Sequence, residues 1–157
     1  MKFGYLLILL LFLALGRSIP SQAQNMQLAS LLIQIELEQR ESIRQALPLT
    51  EEEQQVFWPL YDEYSIEKNK LREDKILLIQ TYLQEYSNLS DKESNTLTWE
   101  GLLLREKGVD LDKKYFKKMS KVLPAKTVGR FFQIESQLQT LNNWRIINNF
   151  PLIRNQK

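Results

Sequence analysis

Neither histidine nor cysteine occurs anywhere in the 157 residues, and glycine and proline number only five each. Without histidine the chain lacks the commonest general base and the imidazole metal ligand. Without cysteine it has no thiolate ligand, no thiol nucleophile and no disulfide framework. The few glycines are scattered and form no phosphate-cradling pattern, so nothing points to a nucleotide. Adjacent carboxylates such as Asp62 and Glu63 point in different directions from a helix and do not converge on one substrate. They read as solvated surface. The sequence therefore predicts a non-catalytic protein with no cofactor and no metal.

What the chain does have is helical punctuation. Leu49 to Tyr64 reads LTEEEQQVFWPLYDEY. Thr50 followed by Glu53 fits a capping box, in which the threonine hydroxyl accepts from an early backbone N–H and the glutamate reaches back to the cap. Glu51 and Glu52 suit the positive end of the helix dipole. Forty residues later Leu89-Ser90-Asp91-Lys92-Glu93 repeats the order. Helices are expected to start at about Glu51 and just after Ser90.

Periodicity gives four helices and no convincing strand. At about 100° per residue, Phe57, Leu60, Tyr61, Tyr64, Leu71, Leu78, Ile79, Tyr82 and Tyr86 share one arc. A helix from Glu51 to about Ser87 would be roughly 55 Å long, which predicts an elongated arrangement. Leu104, Leu111, Tyr115, Met119 and Val122 form a stripe on a third helix. Val128, Phe131, Ile134, Leu138 and Leu141 form one on a fourth. A first helix, about Met26 to Ala46, carries Leu28, Leu31, Leu32, Ile35 and Ile43 and stops before Pro48. Pro124 reads as a turn residue near the start of the fourth helix. Pro59 falls inside the second, where it removes a bond to the Gln55 carbonyl and should bend the helix.

The N-terminus reads as a secretory signal. Lys2 precedes an apolar run from Leu6 to Leu15, and Ser21-Gln22-Ala23 offers small residues at the two positions a signal peptidase reads, so cleavage is expected after Ala23. The apolar run is far short of the ~20 residues a membrane span needs. Residues 1–23 are thus a cleaved signal peptide, and 24–157 a single helical domain with no stable membrane span. Removing them deletes Lys2 and Arg17 and no acid, taking the formal charge from +2 to zero. The overall basicity gives no argument for nucleic acid.

The paired openings resemble those of the periplasmic LTxxQ proteins, the Spy/CpxP-like family of envelope-stress chaperones and their regulatory relatives. The residues that carry the likeness are Leu49-Thr50 with Phe57-Trp58-Pro59-Leu60-Tyr61, Leu89-Ser90, and Val122-Leu123-Pro124 running into Arg130-Phe131-Phe132-Gln133-Ile134-Glu135. Glu53 and Glu93 stand where the motif has Gln, with Gln54 one place late. Either residue serves in a capping box. The resemblance implies long, bent antiparallel helices in a cradle-like homodimer in the periplasm. It also implies ATP-independent binding of unfolded or misfolded envelope proteins. Some relatives instead bind and inhibit a sensor protein, and a non-catalytic structural envelope protein is a third reading. Some relatives bind metal through histidine, and this chain has none with which to do so.

Lys113, Lys114, Lys117, Lys118 and Lys121 lie beside the third apolar stripe, and Lys126 and Arg130 extend the basic run without an intervening acid. Such a strip could attract acidic unfolded chains, or it could be a lysine face paired with acids on a neighbouring helix. Trp58, Ile76 and Leu83 form a second apolar flank on the second helix. For Trp58, Trp99 and Phe150-Pro151-Leu152-Ile153, packing in the core or docking of the tail is expected.

Overall fold

The computed structural model describes residues 21–86 and 88–147; the side chains of residues 21–29, 31–32, 35–36 and 145–147 lie outside the described set. Four helices occupy the described residues: α1 (Ser21–Ala46), α2 (Glu51–Glu85), α3 (Asp91–Met119) and α4 (Ala125–Ile147), with no strand among them. The apolar run Leu6 to Leu15 expected to be a signal peptide, the side chains of Ser21-Gln22-Ala23 and of the α1 residues Leu28, Leu31, Leu32 and Ile35, and the tail Phe150 to Ile153 all lie outside what is described.

Contacts group the chain into residues 1–38 and residues 39–157. In the first group, α1 begins five residues earlier than expected, because Gln22, Ala23 and Gln24 contain no helix breaker. Ile33 and Leu37 are exposed there, and Gln34 Nε2 donates to Glu38 Oε1 at 2.9 Å.

The second group holds the core. Both predicted capping boxes form. Thr50 Oγ1 accepts from the Glu53 N–H at 3.2 Å while the Thr50 N–H donates to Glu53 Oε2 at 3.0 Å. At Ser90 the reciprocal bonds with Glu93 are 3.3 and 2.9 Å. The displaced Gln54 has its own task, donating from Nε2 to the Leu49 carbonyl at 3.2 Å. With the cap at Thr50 in use, α2 runs through Pro59 rather than beginning at it.

α2 and α3 pack most extensively and antiparallel: Glu63, Glu67 and Leu78 meet Lys118, Lys114 and Gly101 in reverse order. α4 follows α2 in the same direction, with Glu53, Lys68 and Lys75 bonded to Thr127, Glu135 and Asn143. The core is Ile43, Leu47, Phe57, Tyr61, Tyr64, Leu111, Tyr115, Met119, Leu123, Val128 and Phe131. Phe131 meets Phe57, Tyr61 and Tyr64 edge to face, with ring centroids 5.2 to 6.1 Å apart, the geometry that the aromatic quadrupole favours.

Three residues do not sit where the pattern puts them. Val122 is exposed and Leu123 buried, because α3 ends at Met119 and the following turn, closed by Leu123 N–H to Met119 O at 2.9 Å, rotates the chain by one residue. Leu141 is exposed although it shares the α4 arc. A seven-residue repeat drifts about 20° on a straight helix, and Leu141 is one such step beyond the half-buried Ile134. Trp99 is exposed rather than packed in the core, since α3 already runs two turns before it and turns it away from the Leu111 face. Trp58 is half-buried as expected, lying against α1 with the Arg40 guanidinium 4.8 Å over its ring.

Candidate functional site

The basic run separates into three groups. Lys114 Nζ donates to both oxygens of Glu67 at 2.7 Å, and Lys118 Nζ to Glu63 Oε2 at 2.8 Å, so these two lysines tie α3 to α2. Between them lies the buried Tyr115, whose hydroxyl donates to Glu67 Oε1 at 2.7 Å. The bonds from Lys114 and Tyr115 hold the Glu67 carboxyl below its ordinary value, and burial together with the Glu67 bond pushes the Tyr115 hydroxyl up. Lys113 pairs within its own helix with Asp110 at 3.1 Å, and Arg130 Nε caps the end of α1 by donating to the Ala46 carbonyl at 2.9 Å. Lys117, Lys121 and Lys126 are exposed and have no ion-pair partner among the described residues. The strip therefore supplies both helix-to-helix pairing and free surface charge, and the two uses fall on different lysines.

An apolar feature beside these lysines was missed by reading only one stripe on α3. Leu102, Val109 and Phe116 recur every seven residues along α3 and are 42 %, 51 % and 49 % exposed. They lie on the far side of α3 from the Glu63 and Glu67 pairs, with Lys113 and Lys117 next to them around the helix. Phe116 is anchored by an edge-to-face contact with Phe132 of α4, centroids 5.9 Å apart. Phe132 in turn lines a shallow groove with Gly129, Gln133, Ser136 and Gln137. The spacing 102, 109, 116 was the available signal.

Beneath the surface lies a buried polar cluster drawing a residue from every helix. Glu135 of α4, 2 % exposed, accepts from Gln39 Nε2 of α1 at 2.9 and 2.8 Å, from the Tyr64 hydroxyl of α2 at 3.2 Å, and from Lys68 Nζ of α2. Tyr64 also donates to Asp112 of α3 at 2.7 Å, and Arg72 Nη2 to Gln39 Oε1 at 3.2 Å. Burial pushes the Lys68 ammonium down to about 8, with Asp112 opposing and Arg72 adding to the shift, and burial next to Asp112 pushes Tyr64 up. Buried charges are tolerated only when paired and hydrogen-bonded, and each oxygen of Glu135 is. The cluster ties together side chains from all four helices, with Gln39, Tyr64 and Glu135 buried and Lys68, Arg72 and Asp112 half-buried.

The structural-motif residues separate from the surface ones. Leu49, Phe57, Trp58, Tyr61 and the caps Thr50, Glu53, Ser90 and Glu93 build helix starts and core. Leu89 and Pro124 sit in the connections that precede α3 and α4. Among the described residues no three carboxylates gather as a metal site, and no helix is long and apolar enough to cross a membrane. Compared with protein-family models, curated proteins and solved structures, the chain matches none.

Proposed function

We propose that this is a periplasmic chaperone-like protein of the Spy/CpxP type that binds unfolded or misfolded envelope proteins without ATP. The observation that carries the reading is the exposed Leu102, Val109 and Phe116 row on α3, with Lys113 and Lys117 beside it. Apolar groups lined up beside solvent-facing cations such as Lys117 can draw in an acidic unfolded chain over long range and then hold it by contact. In this reading the signal peptide is removed after Ala23, Pro59 bends α2, and two copies associate into an elongated cradle. The LTxxQ resemblance supports those features, and the two formed capping boxes supply its helix-start element.

The test is suppression of aggregation of a chemically unfolded client by the purified chain, without nucleotide. Suppression of several unrelated clients at near-stoichiometric amounts is expected. No suppression of any client, together with tight binding of one sensor domain, would replace the chaperone reading with that of a signalling accessory.

A further inference from the structure

α3 runs unbroken from Asp91 to Met119, and its outward face carries charge as well as the apolar row. Glu106 stands between Leu102 and Val109, and Lys113 between Val109 and Phe116. The steps from Leu102 to Phe116 are therefore four, three, four and three residues, the spacing of a coiled-coil seam. At about 100° per residue the five side chains share an arc roughly 80° wide. All five are exposed. Glu106 has no ion-pair partner among the described residues, and Lys113 meets Asp110 in a pair whose side chains are 65 % and 64 % exposed. An ion pair so exposed contributes little, so Lys113 gives it up at small cost.

This seam is complementary to itself in one orientation. A second copy laid antiparallel, with a two-fold axis at Val109, puts Leu102 against Phe116 of the second copy, since each lies seven residues from the axis. It also sets Glu106 against Lys113 of the second copy, three and four residues from the axis, and the two-fold repeats both pairs. At the ends the large, exposed Trp99 falls opposite the small, exposed Ser120. A parallel pair would instead align Glu106 with Glu106 and Lys113 with Lys113, so charge selects the antiparallel one. Solvation alone demands no such symmetry.

We propose that α3 pairs through this seam with α3 of a second copy, antiparallel about Val109, and that an unfolded client displaces that copy. The pairing closes the Leu102, Val109 and Phe116 row. It is a storage form, distinct from an open cradle in which the row stays accessible. From Trp99 to Ser120 the seam is about 32 Å long, and one helix face per copy lies at the small end of specific interfaces, which makes the pair reversible. The displacement rests on the reading of the row as a client surface; the pairing does not.

The test is sedimentation velocity of the whole protein over a range of concentrations, for wild type, Glu106→Lys, Lys113→Glu, the double reversal and the control Lys70→Glu on the exposed face of α2. Circular dichroism checks that each is folded. Wild type and Lys70→Glu should pass from monomer to dimer as concentration rises. Either single reversal sets like charges across both halves of the seam and should raise the dissociation constant at least about tenfold. The double reversal should restore it. An equimolar mixture of the two single variants should form a mixed dimer, which a mere folding defect does not produce. Adding reduced, carboxymethylated α-lactalbumin, an acidic unfolded chain, should convert wild-type dimer into client-bound monomer. Wild type that stays monomeric, dimers indifferent to both single reversals, or single reversals rescued by neither the double variant nor the mixture would overturn the pairing. Client bound to an intact dimer would overturn the displacement. Dimers that pass the charge tests yet bind no client would overturn the displacement together with the chaperone reading, and leave the pairing standing.

Discussion

Glu135 shows how a single residue can organise a core that is otherwise apolar and aromatic. It occupies a core-facing position of α4, four residues after Phe131, and accepts from Gln39, Tyr64 and Lys68 at once. Glu135→Ala should destabilise the protein by about 3–5 kcal/mol in urea unfolding, because it strands the Lys68 ammonium in the interior. Adding Lys68→Met to that variant should recover part of the loss, since the buried charge goes with it. A cost below about 1 kcal/mol for Glu135→Ala would mean that water reaches the pair. The sequence contained a clue, in that Gln39, Lys68 and Glu135 each fall four residues from a core side chain, Ile43, Tyr64 and Phe131 respectively. Periodicity identifies the face such a residue occupies. It does not identify the partner, which here comes from up to 96 positions away.

The starts of α2 and α3 were the most legible elements, because a capping box is a local pattern satisfied within four residues. Thr50→Ala and Ser90→Ala should each cost ~1 kcal/mol, visible as a lowered thermal midpoint. The Thr50 site has an added connection, because Glu53 Oε1 also accepts from Thr127 Oγ1 of α4 at 2.7 Å. Hydrogen bonds hold the carboxyls of Glu53 and Glu93 below their ordinary 4.5. A carboxyl whose folded value is depressed contributes stability that is present above the unfolded value and lost as pH falls through the folded one. Melting curves between pH 6 and 3 should therefore show acid destabilisation that Glu53→Gln and Glu93→Gln both reduce, Gln keeping the cap without titrating. Unchanged acid sensitivity in the double variant would remove the caps from that account. Where elements end was less legible: Val122 and Leu141 fit their stripes by angle, but the turn after Met119 and the drift of α4 expose them.

For the whole molecule, the division of the lysines matters more than their number. Those that tie α3 to α2, Lys114 and Lys118, belong to the fold. Those that reach only solvent, Lys117, Lys121 and Lys126, are available to a partner. Sequence alone offered both uses for the whole strip, because the acids that pair with it lie on another helix. Replacing Lys113, Lys117 and Lys121 by Gln should keep helicity and slow capture of an acidic unfolded client at low salt. The difference should fade as the screening length falls to roughly 8 Å near physiological ionic strength. Equal capture rates at low salt would assign these lysines to solvation alone.

The central claim is that the exposed row on α3 holds unfolded protein. Leu102→Ser, Val109→Ser and Phe116→Ser combined change surface positions, so each should shift stability by about 0.5 kcal/mol or less, apart from the Phe116 contact with Phe132. The decisive measurement is light scattering of an aggregating client in the presence of wild type or of this triple variant, with circular dichroism confirming that both are folded. The account predicts suppression by wild type and loss of most of it in the folded variant. Equal suppression by the two proteins would contradict it.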